Sequence, residues 1–239
     1  MSVQPIKIAL TVAGSIIINN TAPVWTHPGI QLSQNLPAPP KTGTPTGPQT
    51  GGSTRPGASK CPVVDVNAIA FIPKTGQFVL EYPTFWFYIP FAAKDVDSIS
   101  FVILNEDDEY VQPPKKLPLP GTPGFISVRL PSTLPPLEIG KNYKWSFSIY
   151  CDRQNQEDRI SMNGVFQKIA PNLTTGTPRE RIARYMENGF WFDALNLLGE
   201  LRIKEPNNAE LKADWDKLFT SLARLDIVDK PISACCAIE

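Results

Sequence analysis

The stretch PTFWFYIPF, residues 83–91, constrains this chain more than any other. Laid out as a strand, it places Phe85, Phe87, Ile89 and Phe91 on one face. Thr84, Trp86, Tyr88 and Pro90 fall on the other, because successive side chains alternate. An ordinary half-buried strand has one apolar and one wet face, whereas this one is bulky on both. The first face is wholly apolar and belongs to a core. The second is amphipathic, since Trp86 and Tyr88 carry polar handles. Left bare, it would form a sticky patch. Two arrangements satisfy it. Either the chain covers Trp86 and Tyr88 with its own C-terminal helices or linker, or the two rings form an exposed platform for a partner protein or a glycan. A platform of this kind suits sugars, whose C–H face stacks on an aromatic ring.

The surrounding sequence is punctuated as strands. In NYKWSFSIYC, residues 142–151, Tyr143, Trp145, Phe147, Ile149 and Cys151 point one way and Lys144, Ser146, Ser148 and Tyr150 the other. SISFVILNE, GFISVRLP and VVDVNAIAF read as further strands. ISMNGVFQKIA reads as the last, with a bulge expected at Gly164. Short strands at this spacing suggest a β-sandwich over residues 61–171. Leu137, Gly140 and Tyr143 form the pattern L-x-x-G-x-x-Y. It resembles the tyrosine corner of immunoglobulin-like and fibronectin-type sandwiches, in which the Tyr hydroxyl bonds back to the backbone.

After residue 171 the period changes. TPRERIARYMENG opens with a capping box, Thr177 as N-cap, Pro178 at N1 and Glu180 at N3, and ends at Gly189. Residues 189–208 resemble the second half of a tetratricopeptide repeat, although Gly199 departs from that pattern. AELKADWDKLFTSLARL makes a third helix. A single unit cannot stack into a solenoid, so residues 177–226 read as a small helical hairpin that docks on something, followed by a tail, 227–239. The expected fold is mainly β: an immunoglobulin/fibronectin-like β-sandwich followed by a small C-terminal helical hairpin.

Residues 8–18 are an apolar run flanked by Lys7, too short to span a bilayer as a helix but suited to a secretory signal core. The competing reading is a buried first strand. Residues 1–22 therefore read as a signal peptide or, uncleaved, as an N-terminal anchor, the one route to a membrane. Residues 23–60 are rich in Pro, Gly, Ser and Thr and have nothing to bury, as expected of a disordered linker. Export makes Cys61–Cys151 the natural disulfide, contributing roughly 4 kcal/mol by the chain-entropy estimate. In a reducing compartment both would be thiols, one of them an ordinary core residue. Cys235 and Cys236 sit in the tail, which is expected to be disordered.

Charge is balanced, with 23 basic and 23 acidic residues, so nothing draws the chain to nucleic acid. The 25 prolines favour an all-β core over a helical bundle. The only histidine, His27, precedes the domain, so no His-based triad or metal site is expected. No phosphate loop or dinucleotide fingerprint occurs. Residues 105–110, NEDDEY, read as a solvated hairpin tip rather than a calcium loop. A carboxylate pair of Glu81 with Asp107 or Asp108 has nothing to recommend it.

GGSTRPGASKC, YPTFWFYIPF, ISFVILNEDDEYVQ, PGFISVRLP, LEIGKNYKWSFSIYC and NGVFQKI together resemble the cyanobacterial domain of unknown function 928 over residues 51–169. The resemblance implies an exported protein with Cys61 and Cys151 inside the homologous region, and a helical extension. It implies no activity. The expected function is that of a non-enzymatic periplasmic or extracellular protein with no cofactor, acting as an interaction module on an unidentified envelope protein. The alternative is a carbohydrate-binding module using Trp86 and Tyr88 on a glycan.

Overall fold

The computed structural model describes residues 60–61, 75–117, 119, 123–170, 173, 175–233 and 236. The expected signal segment, all of the linker before Lys60 and the strand expected at 63–71 lie outside these residues, as does Cys235.

Among these residues seven strands and three α-helices follow in order. The strands are β1 (Thr75–Phe78), β2 (Thr84–Ile89), β3 (Ser98–Leu104), β4 (Tyr110–Leu117), β5 (Gly124–Arg129), β6 (Asn142–Tyr150) and β7 (Arg159–Lys168). The helices are α1 (Pro178–Glu187), α2 (Trp191–Lys204) and α3 (Ala209–Ser221). Five strands form one sheet in the order β1-β7-β6-β3-β4, and β2 pairs with β5 in a second. All pairs are antiparallel except β1 with β7. Three helices stand at the three helical segments read from the sequence, beside a sheet-rich body.

β2 is the middle layer, and its two faces answer to different partners. Phe85 packs against Phe101 at 4.7 Å and Phe166 at 5.4 Å between ring centroids, and Phe87 stacks on Phe147 at 4.0 Å. These partners line the inner face of the five-stranded sheet. The opposite face meets the helices. Trp86 lies edge-on to Trp215 of α3, and Phe125, beside Tyr88 on β5, contacts Trp215 and Phe219.

Two glycines let α2 come this close. A Cβ on Gly199 would sit 2.5 Å from Cη2 and Cζ2 of Trp86, and one on Gly76 of β1 would strike the Phe192 ring at 2.0 Å. Gly199 departs from the repeat pattern where the six-membered ring of Trp86 closes on the helix.

The helices are fastened to one another as well. Thr177 and Glu180 make both bonds of the expected capping box, and Gly189 ends α1 at φ +77°. Arg179 forks onto Asp214 at 2.8 and 3.2 Å and reaches Glu210, tying α1 to α3. Past α3 the chain returns to the second sheet. Phe125 N–H donates to Pro231 O at 2.8 Å and Ser233 N–H to Phe125 O at 2.9 Å, covering the β5 edge. The tail, expected to be disordered, is in part ordered: Cys236 is disulfide-bonded and packs on the core.

Gly164 is not a bulge. It sits in regular register opposite Trp145, on the inner face, where the bulkiest side chain of β6 faces a residue that has none. The irregular register lies between β3 and β4. β4 contains Pro113 and Pro114, which cannot donate to a ladder and so blunt this outer edge against pairing.

Gly199→Ala isolates the Trp86 contact. In an ordinary helix interior this change gains roughly 1 kcal/mol. Here the buried, rigid indole must move, an overpacking cost of about 1–3 kcal/mol. Thermal unfolding is expected to show a lowered Tm; a raised Tm would mean that Trp86 does not rest on α2.

Candidate functional site

The structure joins Cys61 to Cys151 in a disulfide between cysteines 90 positions apart in sequence. The neighbours of the bridge are pinned too. Lys60 N–H donates to Asp158 Oδ2 at 2.8 Å, and its ammonium pairs with Asp152 at 2.9 Å. The chain therefore enters the described domain at the Cys151 end of β6.

Trp86 and Tyr88 are covered, being only 1% and 7% exposed. Trp86 Nε1 donates to Asn196 Oδ1 of α2 at 3.4 Å. Of the two arrangements open to the sequence, this is the one in which the chain's own helices lie over the second face. A face so covered offers no stacking platform while the helices are seated.

Beside it lies a buried polar latch. Asp193, in the first turn of α2, accepts N–H bonds from Val79 at 3.0 Å and Leu80 at 3.1 Å. Lys168, at the end of β7, donates to Val79 O at 2.5 Å and Ile169 O at 3.2 Å. Burial pushes the Asp193 carboxyl up from 3.8 to about 6, against the pull of both N–H groups and the Lys168 ammonium. Burial also lowers Lys168, opposed by the charges of Asp193 and Glu81. The latch satisfies backbone groups beyond β1 that no strand reaches, and it fastens α2 to the sheet.

An open cleft lies at the other end of β6. It measures about 130 Å³ and lies between residues 105–107 of the β3–β4 turn and Glu138, Lys141, Asn142 and Tyr143. Asn105 shapes the turn: its Oδ1 accepts from Asp107 N–H at 3.0 Å and Glu109 N–H at 2.8 Å. Asp108 takes the positive φ of 62° that the turn requires. Glu106 crosses the cleft, accepting from Asn142 N–H at 3.1 Å and Asn142 Nδ2 at 3.0 Å, with Lys141 Nζ at 3.5 Å. These donors hold its carboxyl below the usual range, the Asn142 N–H foremost.

The far wall is the tyrosine corner. Glu138 N–H donates to the Tyr143 hydroxyl at 2.9 Å, and Gly140, at φ +83°, turns the loop so that its N–H reaches Lys168 O at 2.7 Å. Two exposed apolar side chains flank the cleft in sequence, Ile139 (61% exposed) and Tyr110 (63%). Tyr110 also stands in a row across the outer sheet face with Leu104, Lys144 and Val165, which the strand register sets side by side.

A family model described as Domain of Unknown Function (DUF928) matches residues 50–232. The chain belongs to the DUF928 family. The DUF928 match takes in all three helices and the Ile232 bridge to Phe125, well beyond residue 169, where the sequence resemblance stopped. It therefore follows the packed unit of sheets and helices. No curated protein matches the chain. Among the described residues no His/Cys/Asp/Glu group is disposed to hold a metal, and no helix is long and apolar enough to cross a membrane.

Sequence reading missed the cleft. The Glu106–Asn142 contact joins residues 36 apart, and only the NEDDEY turn and the L-x-x-G-x-x-Y pattern hinted at its two walls. It also missed Asp193, 114 residues from Val79, which reads as an ordinary helix-start carboxylate.

The Asp193 latch has a pH signature. Its native pKa lies above its unfolded value, so between about pH 4 and about pH 6 the folded chain keeps a proton that the unfolded chain has lost. Stability should therefore fall across this window, by on the order of 2 kcal/mol. The lowered Glu106, Asp152, Glu180 and Asp226 act with the opposite sign, at lower pH. Urea unfolding of Asp193→Asn at pH 4, 5, 6 and 7 is expected to lack the fall. An unchanged slope in this variant would remove Asp193 as its source.

Proposed function

We propose that this DUF928 chain is a non-catalytic, exported interaction module, working in the periplasm or at the cell surface of a cyanobacterium. The observation that carries the reading is a polar cleft flanked in sequence by Tyr110 and Ile139, the two most exposed large apolar side chains among the described residues. Exposed large apolar side chains with polar neighbours are what a protein contact uses.

The architecture supports the same reading. β6 spans about 27 Å over its nine residues. The disulfide and the point of chain entry are at one end of it, and the cleft is at the other. A domain held by a leading segment at residue 60 thus turns its cleft away from its attachment. A disulfide also suits an oxidising compartment.

We read the body as an immunoglobulin-like sandwich. The parallel β1–β7 pair, the two-sheet order and the Tyr143–Glu138 bond favour it. The 189–208 unit, similar to half a tetratricopeptide repeat, acts on this reading as a cover for Trp86 rather than as a groove.

Photo-cross-linking in the envelope fraction of the source cells tests the module. With p-benzoylphenylalanine at Ile139, a discrete protein adduct is expected. The same residue at Leu225, which is 57% exposed but lies beyond α3, should give none. Equal capture at both positions, or none at Ile139, would overturn the proposal.

A further inference from the structure

We infer that the cleft takes one basic side chain, Arg or Lys, presented by an extended segment of the partner protein. This deepens the interaction-module reading and rests on it.

Volume limits the occupant first. Small-molecule sites measure roughly 300–1,000 Å³, whereas this cleft holds about 130 Å³. That is room for a side chain, not for a cofactor or an oligosaccharide.

Charge then selects among side chains. The lining carries Glu106, Asp107 and Glu138 against a single cation, Lys141. Glu106 is already engaged by Asn142 and Lys141. The carboxylates of Asp107 and Glu138 have no partner among the described residues, and neighbouring Asp108 is matched by Lys144. Two negative charges therefore remain at a concave site, where a cation is attracted most strongly. A guanidinium can fork onto a carboxylate of this kind with two parallel bonds.

The hydroxyl of Tyr143 separates a peptide from a bare metal ion. Tyr143 is 5% exposed and lines the cleft. Its oxygen accepts the Glu138 N–H, and its own proton has no acceptor among the described residues. An O–H donor there suits a carbonyl of an incoming backbone. A divalent cation needs six or more oxygen ligands and would meet this donor and the Lys141 ammonium instead. The capped Asn105 turn and the tyrosine corner are stiff before binding, so little ordering entropy is spent on the site's own loops.

The test uses the full chain, isotopically labelled and titrated in low salt with acetyl-Gly-Arg-Leu-amide. Acetyl-Gly-Glu-Leu-amide serves as the control. Resonance shifts confined to residues 105–110 and 138–143 are expected with the Arg peptide alone. Affinity should fall about tenfold in the Asp107→Asn, Glu138→Gln double variant, whose altered carboxylates hold nothing in the fold. Equal shifts with both peptides, or shifts elsewhere, would overturn the inference. So would a response to calcium chloride or glucose at these residues with none to the Arg peptide. If the Arg peptide fails while the Ile139 cross-link persists, the basic-residue assignment falls and the module stands. If both fail, both fall.

Discussion

The structure depends on one strand being buried twice. β2 presents Phe85 and Phe87 to the larger sheet and Trp86 and Tyr88 to the helices, and all six of its residues are buried. Removing a large side chain from water stabilises a fold by roughly 1.5–3 kcal/mol. A sandwich without helices would forfeit that on the Trp86 face and expose a large aromatic patch. The helices are therefore part of the core. The close approaches at Gly76 and Gly199, and the Asp193 latch, all lie along α2, which is the joint between the layers.

How far the sequence could be read follows from how local each signal is. β6 was legible because its alternation runs over nine residues, and α1 because Thr177 and Glu180 sit three apart. The tyrosine corner was legible for the same reason, since Glu138 and Tyr143 are five apart. β1 was not legible: TGQF is four residues with little alternation, and its pairing with β7 reaches across 90 positions. β4 was hidden by Pro113 and Pro114, which argue against a strand unless it is an outer edge. Trp86 and Tyr88 were rightly seen as an unusual face, but whether that face was covered depended on α2 and α3, more than a hundred residues away.

The same layering divides the labour of the molecule. The aromatic surplus that looked like a binding surface holds the helices, and the polar cleft lies away from it, at the end of β6. There the residues are polar, loop-borne and braced by backbone bonds, as positions used for recognition commonly are. The cleft and the disulfide stand at opposite ends of β6, so under the proposed function attachment and recognition would not compete for the same surface.

The central claim is that sheets and helices form a single cooperative unit joined through Trp86. Native-state hydrogen exchange measures this most directly, by comparing the opening free energies of amides in α2 with those in β6. The account predicts that the slowest amides of both elements exchange through the same global unfolding, with equal free energies and equal denaturant dependence. Exchange of α2 through a separate opening, at clearly lower free energy than β6, would contradict it.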